Sequence, residues 1–301
     1  MSRQTRHADN TGAGEAIIRH WFRRSLAVIA GIGVIGTGIG WYINHDRSTV
    51  IPVEEAVVTG PVVEENTAPQ APPEVVFRDI TTAAGIGFVH TNGAYGDKLM
   101  PETIGSGAAF FDYDNDSDQD LLLLNSTWFP GHEQDTIPMT ALYRNDGAGQ
   151  FTDVTLETGL GIDSYGMGVA AGDFDNDGWT DLYLTSLGEN YLLRNEQGHF
   201  NDVTAASGTA GQASDWSTAA AFLDVDNDGD LDLFVGNYVQ WTRETDLEID
   251  FRLTGLGRAI GAPNHFYGTT NRLYRNDGQG VFTDVSRSAG IVIVDPVSYT
   301  H

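Results

Sequence analysis

Short apolar runs alternate with acidic loops three times between residues 107 and 235 of this chain. The runs are Gly107-Ala-Ala-Phe-Phe, Leu121-Leu-Leu-Leu, Leu182-Tyr-Leu-Thr and Leu233-Phe-Val. Runs of three to five residues are typical of short buried strands and are too short for helices of ordinary length. The pattern therefore predicts a strand, an acidic loop and a second strand, repeated along the chain.

Each acidic loop has aspartate at its first, third, fifth and ninth positions. So many carboxylates within a few ångströms repel one another and favour a bound cation, and oxygen ligands in a flexible loop suit Ca²⁺. We expect three sites, with the side chains at positions 1, 3, 5 and 9 and the backbone carbonyl at position 7 as ligands. The candidate metal residues are Asp112, Asp114, Asp116, Asp118 and Asp120, then Asp173, Asp175, Asp177, Trp179 and Asp181, then Asp224, Asp226, Asp228, Asp230 and Asp232.

An EF-hand loop begins in the same way, but it runs to twelve residues, ends in a glutamate and joins two helices. The twelfth positions here are Leu123, Leu184 and Val235. These are therefore predicted to be strand-loop-strand sites. Gly178 and Gly229 at position 6 suit a left-handed turn, whereas Ser117 takes that position in the first loop at a conformational cost.

A second signature recurs four times, and each copy has a glycine eight residues after its phenylalanine. The copies begin at Phe77, Phe151, Phe200 and Phe282, and the glycines are Gly85, Gly159, Gly208 and Gly290. Hairpin signals with the turn Asn-Asp-Gly, or Asn-Glu-Gln-Gly in one copy, precede three of them. An acidic hairpin plus a second hairpin makes about four strands per repeat, as in a propeller blade.

These motifs resemble the FG-GAP or VCBS-repeat propellers and, more narrowly, the ASPIC/UnbV-type, cartilage-acidic-protein-like group. The resemblance covers roughly residues 75 to 291 and rests on the three Asp loops, Leu142-Tyr-Arg-Asn-Asp-Gly and Phe151-Thr-Asp-Val-Thr, and on the segment from Gly85 to Gly107. It implies an all-β fold, a calcium-binding β-propeller similar to the integrin α-chain head, used outside the cytoplasm for recognition or cell adhesion. No ASPIC-type C-terminal segment is present, so activity tied to that segment is not carried over.

Three whole repeats are fewer than the four or more blades of a closed ring. The Phe77 signature has no Asp loop before it, and the spacing of the repeats places a fourth loop just beyond His301. We therefore expect residues 76–301 to be part of a longer propeller, with the Phe77 segment as the second half of a blade.

The N-terminal region predicts a location outside the cytoplasm. Residues 25–43 are uncharged and follow a basic segment, 1–24, that the positive-inside rule holds in the cytoplasm. A membrane anchor is favoured over a cleaved signal peptide, the alternative being secretion after cleavage, because residues 44–49 lack a small-x-small site. Residues 44–75 contain five prolines and no periodicity, which is typical of an extended linker.

The charge and the cysteine content of the chain limit the partners that it can bind and the ways in which it can be stabilised. A net charge of −26 excludes nucleic acid as a partner of the folded domain. The chain has no cysteine, so disulfides cannot stabilise a domain outside the cytoplasm, and bound calcium would take that role.

We expect no enzyme activity, since the sequence shows neither a nucleophile arrangement nor a phosphate-binding loop. A propeller-scaffold enzyme acting on carbohydrate or another extracellular substrate is the alternative, with His90 and His265 as conceivable participants. Partners are expected to be an extracellular or periplasmic protein or glycan, contacted by segments that interrupt the repeat. These are residues 237–270, with Tyr238, Trp241, Arg243, Arg252, Arg258, His265 and Phe266, and the stretch from Ser126 to His132, with Trp128 and Phe129. The alternative, of equal weight, is that these aromatic side chains merely fill the loops of the propeller and contact no partner.

Overall fold

The computed structural model describes residues 76–278 and 280–292. These residues form three four-stranded antiparallel sheets and a two-stranded hairpin, so the all-β prediction is confirmed. Sheet 1 contains β1 (Ala108–Phe111), β2 (Asp120–Leu123), β3 (Ala141–Asn145) and β4 (Phe151–Asp153). Sheet 2 contains β5 (Gly166–Gly172), β6 (Asp181–Ser186), β7 (Tyr191–Glu196) and β8 (His199–Asp202).

Sheet 3 contains β9 (Ser217–Leu223), β10 (Asp232–Asn237), β13 (Arg272–Asn276) and β14 (Phe282–Asp284). The hairpin of β11 (Arg252–Leu253) and β12 (Gly257–Arg258) lies in the connection between β10 and β13. Helices are few among the described residues: α1 (Thr204–Ser207), α2 (Arg243–Ile249) and the 3-10 helices Met100–Thr103 and Pro263–His265. The hydroxyl of Thr242 begins α2 by accepting the Thr245 N–H at 3.1 Å.

Both hairpins predicted for each repeat are present. The acidic loops join the first and second strands of each sheet, and the turns after the Asn residues join the third and fourth strands. In sheet 2, Gln197 and Gly198 form the turn with φ values of 56° and 88°, the left-handed pair that a two-residue hairpin requires.

The core lies between neighbouring sheets because strand residues alternate between two faces. Leu182 and Leu193 pair across β6 and β7 and pack with Leu122 and Leu142 of sheet 1. The next pair, Tyr183 and Leu192, points the other way and packs with Leu233 of sheet 3. Each fully buried leucine of this kind stabilises the fold by about 1.5–3 kcal/mol.

The first strands of the three sheets, β1, β5 and β9, lie side by side. Glycine permits this approach at Gly168, where an added Cβ would lie 2.6 Å from the Thr218 carbonyl oxygen. The described residues therefore form a row of face-to-face sheets with their first strands adjacent. Three sheets are fewer than the roughly four to eight of a closed propeller, so closure of a ring stays a prediction.

The Phe77 segment contacts sheet 1, and its place as the second half of a blade stays a prediction. Residues 76–80 form no strand, since no strand among the described residues pairs with them. Residues 81–85 form a turn whose Ala84 carbonyl accepts the Phe151 N–H of sheet 1 at 2.8 Å. The turn after β4 repeats this contact on sheet 2, where the Thr158 carbonyl accepts the Phe200 N–H at 2.7 Å. The segment thus makes the same contact with sheet 1 that links sheet 1 to sheet 2.

The strand directions separate two ends of the row. Because successive strands are antiparallel, the acidic loops and the Asn turns lie at one end, which we call the loop end. Residues 90–107 of the segment before β1 and the connections β2–β3, β6–β7 and β10–β13 lie at the opposite end, which we call the far end. Both segments predicted as contact surfaces belong to the far end.

Predictions for residues 1–24, 25–43 and 44–75, and for the tail 293–301, lie outside the described residues. Within residues 76–278 and 280–292, no helix combines the length and the apolar character needed to cross a bilayer.

Candidate metal centre

In each loop three aspartate side chains converge. One carboxylate oxygen from each of positions 1, 3 and 9 lies within 4.8 Å of the others, a spacing that a single ion can span. The three clusters are Asp112, Asp114 and Asp120; Asp173, Asp175 and Asp181; and Asp224, Asp226 and Asp232. The structure therefore brings together nine of the fifteen predicted ligand residues.

The aspartates at position 5 lie outside these clusters and order the loop instead. Their Oδ1 atoms accept the N–H of position 7, at 2.9 Å for Asp116, 2.8 Å for Asp177 and 2.9 Å for Asp228. The position-7 residues, Asp118, Trp179 and Asp230, thus donate to the turn, and their carbonyl oxygens stay predicted ligands.

Position 1 holds the turn from the other side. Asp173 accepts the N–H of Asp177 at 3.0 Å and that of Gly178 at 2.9 Å. Asp112 does the same in the first loop, where Ser117 donates at 2.9 Å. Both carboxylates are thereby fixed near the cluster before an ion binds.

Position 9 connects each loop to the neighbouring hairpin. Asp181 is fully buried, and its two oxygens accept the N–H of Phe174 at 3.0 Å and of Asn195 at 2.7 Å. Asp120 and Asp232 make the corresponding pairs of bonds. Burial raises the pKa of Asp181 to about 7 despite these two donors, with the charges of Asp175 and Asp173 adding to the effect.

Position 3 carries the feature that points most directly to an ion. Oδ1 of Asp114 and Oδ1 of Asp175 are buried and accept no hydrogen bond from the described residues. Burial, and then the charges of the neighbouring aspartates, raises the pKa of both carboxyls. A buried carboxylate oxygen without a partner is costly, and a cation at the cluster would remove that cost. The all-oxygen ligand set fits a hard ion such as Ca²⁺. In the third loop Asp224 and Asp226 are exposed, so that site is more open.

Two asparagine roles were missed by sequence reasoning. Asn195, predicted only as a turn former, is fully buried, and its Nδ2 donates at 2.8 Å to the carbonyl of Tyr113, in the acidic loop that joins β1 to β2. Asn276 makes the same bond to Phe174 of sheet 2 at 2.8 Å. The recurring Leu-Tyr-Arg-Asn and Leu-Leu-Arg-Asn segments were the available signal, but their partners lie on another sheet.

The asparagines at position 4 link neighbouring loops. Nδ2 of Asn115 donates to the Gly178 carbonyl at 3.0 Å, and Nδ2 of Asn176 donates to Oδ1 of Asp230 at 2.9 Å. Their backbones are left-handed, with φ values of 59° and 57°, a conformation that asparagine tolerates better than most residues. The three loops therefore form one hydrogen-bonded row.

Replacing Ser117 with glycine is expected to stabilise the chain. Ser117 has a φ of 75°, matching the 90° of Gly178, so the predicted conformational cost is present. The gain should be about 0.5–1 kcal/mol, since relief of left-handed strain exceeds the added freedom of the unfolded chain. Urea unfolding in the presence of a chelator measures it without a contribution from ion binding. The reverse change, Gly178→Ser, should destabilise, and a gain in both variants would contradict the explanation.

Calcium affinity of the second loop is expected to fall as the pH falls through 7. Asp181 must lose its proton to bind an ion, and its pKa is raised to about 7. Binding at pH 6 should be about tenfold weaker than at pH 8. The same shift makes the ion-free protein lose stability as the pH rises from about 4 to about 7, because the folded state holds the proton more tightly than the unfolded state. Calorimetric titration of an Asp112→Asn/Asp224→Asn variant isolates this loop; equal affinity at pH 6 and pH 8 would exclude the linkage.

The far-end segments are packed more tightly than a free contact surface. Trp241 and Phe266 are 7% and 4% exposed and join Phe129 in an aromatic cluster. Buried Asp246 accepts the Trp241 indole N–H, the Met100 N–H and an Arg258 N–H, each at 2.8 Å. These aromatic residues therefore fill the loops, as in the alternative to a contact surface that the sequence left open.

Other residues of the same segments stay accessible. Arg252, His265 and Leu256 are exposed, and Tyr238 and Trp128 are half-buried. Arg243 pairs with Asp97 at 2.9 Å and also donates to the Tyr95 hydroxyl, which ties the insertion to the segment before β1.

The family comparison matches the region that contains the three loops. The model for the FG-GAP-like repeat matches residues 112–184 and 173–235. Residues 112–235 are therefore similar to FG-GAP-like repeats. Each match begins at the first aspartate of one loop and ends in the strand that follows the next loop, β6 for the first match and β10 for the second. The period of the matches therefore agrees with the period of the sheets. The match does not reach the ASPIC/UnbV grouping, which stays a prediction.

No curated protein matches the chain. Among solved structures, it is similar to one described as the "structural basis of specific recognition of non-reducing terminal N-acetylglucosamine" by an Agrocybe aegerita lectin. The identity is 14%, the TM-score is 0.24, and the alignment covers 58% of this chain. The chain spans about half of that structure, 49% of its length.

Proposed function

We propose that this chain is a calcium-binding β-propeller module, anchored in a membrane by residues 25–43, that acts in recognition or adhesion outside the cytoplasm. The FG-GAP-like repeats support a propeller-like recognition module. Calcium is the proposed ion and its role is structural.

The observation that carries the calcium assignment is the pair of buried, unpartnered oxygens on Asp114 and Asp175, each within a convergent carboxylate cluster. In these two loops the carboxylate oxygens at positions 1 and 9 accept hydrogen bonds from backbone N–H groups. The carboxylate oxygens without a hydrogen-bond partner are therefore those at position 3. An ion there would offset two of the negative charges of the cluster and join β1 to β2 or β5 to β6. All the ligands of such an ion would come from one loop at the loop end. The ion would therefore order the backbone of that loop.

The recognition role is supported by the division between the two ends. The loop end repeats one motif three times, whereas the far end carries the long insertion between β10 and β13. Loops displayed at one end of a rigid scaffold are the usual place for binding residues. The proposed partner is an extracellular or periplasmic protein or glycan.

Calcium stoichiometry tests the first part of the proposal. The 301-residue chain in detergent, dialysed against buffered Ca²⁺, should bind three ions, one for each cluster. Asp175→Asn should remove one ion, while Asp163→Asn, an exposed residue outside the clusters, should remove none. Failure to bind Ca²⁺ at millimolar concentration would overturn the assignment.

The absence of cysteine allows a clean test of location. A single Asp163→Cys substitution should be labelled in intact cells by a membrane-impermeant maleimide, after outer-membrane permeabilisation where an outer membrane exists. Ser2→Cys should be labelled only after the inner membrane is opened. Equal protection of both positions would exclude the proposed orientation.

A further inference from the structure

A pocket of about 550 Å³ lies at the far end, away from the aspartate clusters. Its walls come from the segment before β1 and from the connection between β2 and β3. The lining residues that the argument uses are His90, Thr91, Glu102, Thr103, Trp128 and Gln134. This volume lies in the usual range for small-molecule sites, roughly 300–1,000 Å³.

Hydrogen bonds hold the walls in place. Asn92 donates to the Glu102 carbonyl at 2.8 Å, and the Tyr165 hydroxyl donates to the Asn92 carbonyl at 2.7 Å. Trp128 donates its indole N–H to the Thr136 carbonyl at 2.8 Å, which fixes the ring. A pocket ordered in this way binds its ligand at a lower entropic cost than a mobile loop does.

The hydrogen bonds of Ser106 determine the state of His90. The Ser106 hydroxyl donates to the Gly166 carbonyl at 2.7 Å, since a carbonyl only accepts. Ser106 must therefore accept from Nε2 of His90, which lies 3.1 Å from its Oγ. Partial burial lowers the pKa of His90, which favours the neutral ring, and the bond to Ser106 places its proton on Nε2. Nδ1 is then a hydrogen-bond acceptor, and no described residue donates to it.

The polar lining is rich in acceptors and lacks positive charge. One oxygen of Glu102 accepts the Leu99 N–H at 3.0 Å, and the other makes no hydrogen bond with the described residues. Together with Nδ1 of His90 and the Thr91 and Thr103 hydroxyls, it offers several acceptors for a ligand with hydroxyl donors. The described lining contains no lysine or arginine, so an anionic ligand would meet Glu102 without compensation.

We propose that this pocket binds one neutral sugar residue, with the Trp128 ring against an apolar face of the sugar and His90 and Glu102 accepting from its hydroxyls. The inference rests on the proposed recognition function and names the ligand class for it. A sugar fits better than a small cation, because only one carboxylate lines the pocket and a fixed aromatic ring lies beside several acceptors. The residues involved do not overlap with the metal clusters.

Binding of simple glycosides tests the proposal. The probes are the methyl glycosides of glucose, galactose, mannose and N-acetylglucosamine, applied to the full-length chain in detergent with Ca²⁺ and followed by saturation-transfer NMR and calorimetry. At least one glycoside should bind in the millimolar range. Trp128→Ala should weaken that binding about tenfold or more, as expected for loss of an aromatic contact.

Two controls separate the pocket from general effects. Phe77→Ala removes an exposed aromatic side chain that lies outside the pocket lining, and it should leave sugar binding unchanged. The uronic acid corresponding to the best glycoside should bind about tenfold more weakly because of Glu102, and Glu102→Gln should reduce that discrimination.

The proposal would be overturned if no neutral glycoside bound at millimolar concentration, if the uronic acid bound equally well, or if Trp128→Ala had no effect. Calcium stoichiometry and melting temperature, measured on the same samples, show whether each variant is folded. Three bound ions without sugar binding would reject only the pocket assignment. Sugar binding without bound calcium would reject only the calcium assignment.

Discussion

Chelation of calcium is expected to lower the melting temperature of the chain by about 10 °C or more. An ion held at a thousand times its dissociation constant stabilises the folded state by about 4 kcal/mol per site, and about 1 kcal/mol corresponds to 2–4 °C in a domain of this size. The physical reason is the repulsion within each cluster, which the ion removes. Circular dichroism melts in Ca²⁺ and in EGTA measure the difference.

Substitutions at position 3 test whether the clusters cause that difference. Asp175→Asn should lower the melting temperature in Ca²⁺ but reduce the further loss caused by EGTA, because repulsion is partly relieved in the ion-free state. Asp163→Asn should behave like the unaltered chain, since Asp163 is exposed and outside the clusters. Identical melts with and without EGTA would mean that the loops are solvated turns, and acid-base roles for their aspartates would need to be reconsidered.

Asn195→Ala is expected to destabilise the chain by about 2–4 kcal/mol. The change leaves the buried carbonyls of Tyr113 and Thr180 without the donor that now lies at 2.8 Å and 3.1 Å. It also removes the acceptor for the Gly198 N–H in the turn between β7 and β8. Urea unfolding monitored by tryptophan fluorescence gives the free energy of unfolding.

Asn145→Ala is the matched control. Asn145 holds the same place in sheet 1, but its Nδ2 donates only to the Gln119 carbonyl, at 3.1 Å, in an exposed position. Its Oδ1 accepts the Gly147 N–H at 3.2 Å, as Asn195 accepts that of Gly198. Loss of these two exposed hydrogen bonds should cost about 1–2 kcal/mol. Equal losses in the two variants would show that the bond between sheets contributes little, and that Asn195 acts only through its turn.

Features encoded by neighbouring residues could be predicted from the sequence. The acidic hairpins, the Asn turns and the left-handed Ser117 depend on spacing within a dozen residues, and the structure contains all of them. The convergence of positions 1, 3 and 9 follows from the same local spacing. The role of the aspartate at position 5 was harder to predict. Its carboxylate can bind an ion or accept a backbone N–H, and the turn geometry decides between the two.

Features that depend on distant residues could not be predicted. Asn195 and Tyr113 are 82 residues apart and meet only because two sheets pack face to face with matching registers. Composition likewise could not show that Trp241 is buried, since its environment depends on Asp246 and on Met100 from the segment before β1. The pocket beside His90 combines segments that sequence reasoning had treated separately.

The separation of the loop end from the far end affects how the sequence of such a chain can evolve. An insertion between β2 and β3, or between β10 and β13, lengthens only the far end and leaves the hydrogen bonds of Asp120, Asp181 and Asp232 untouched. New specificities can therefore arise by local insertion without a cost to the repeated framework. A change at the loop end is different, because Asn115 and Asn176 transmit a displacement of one loop to the next.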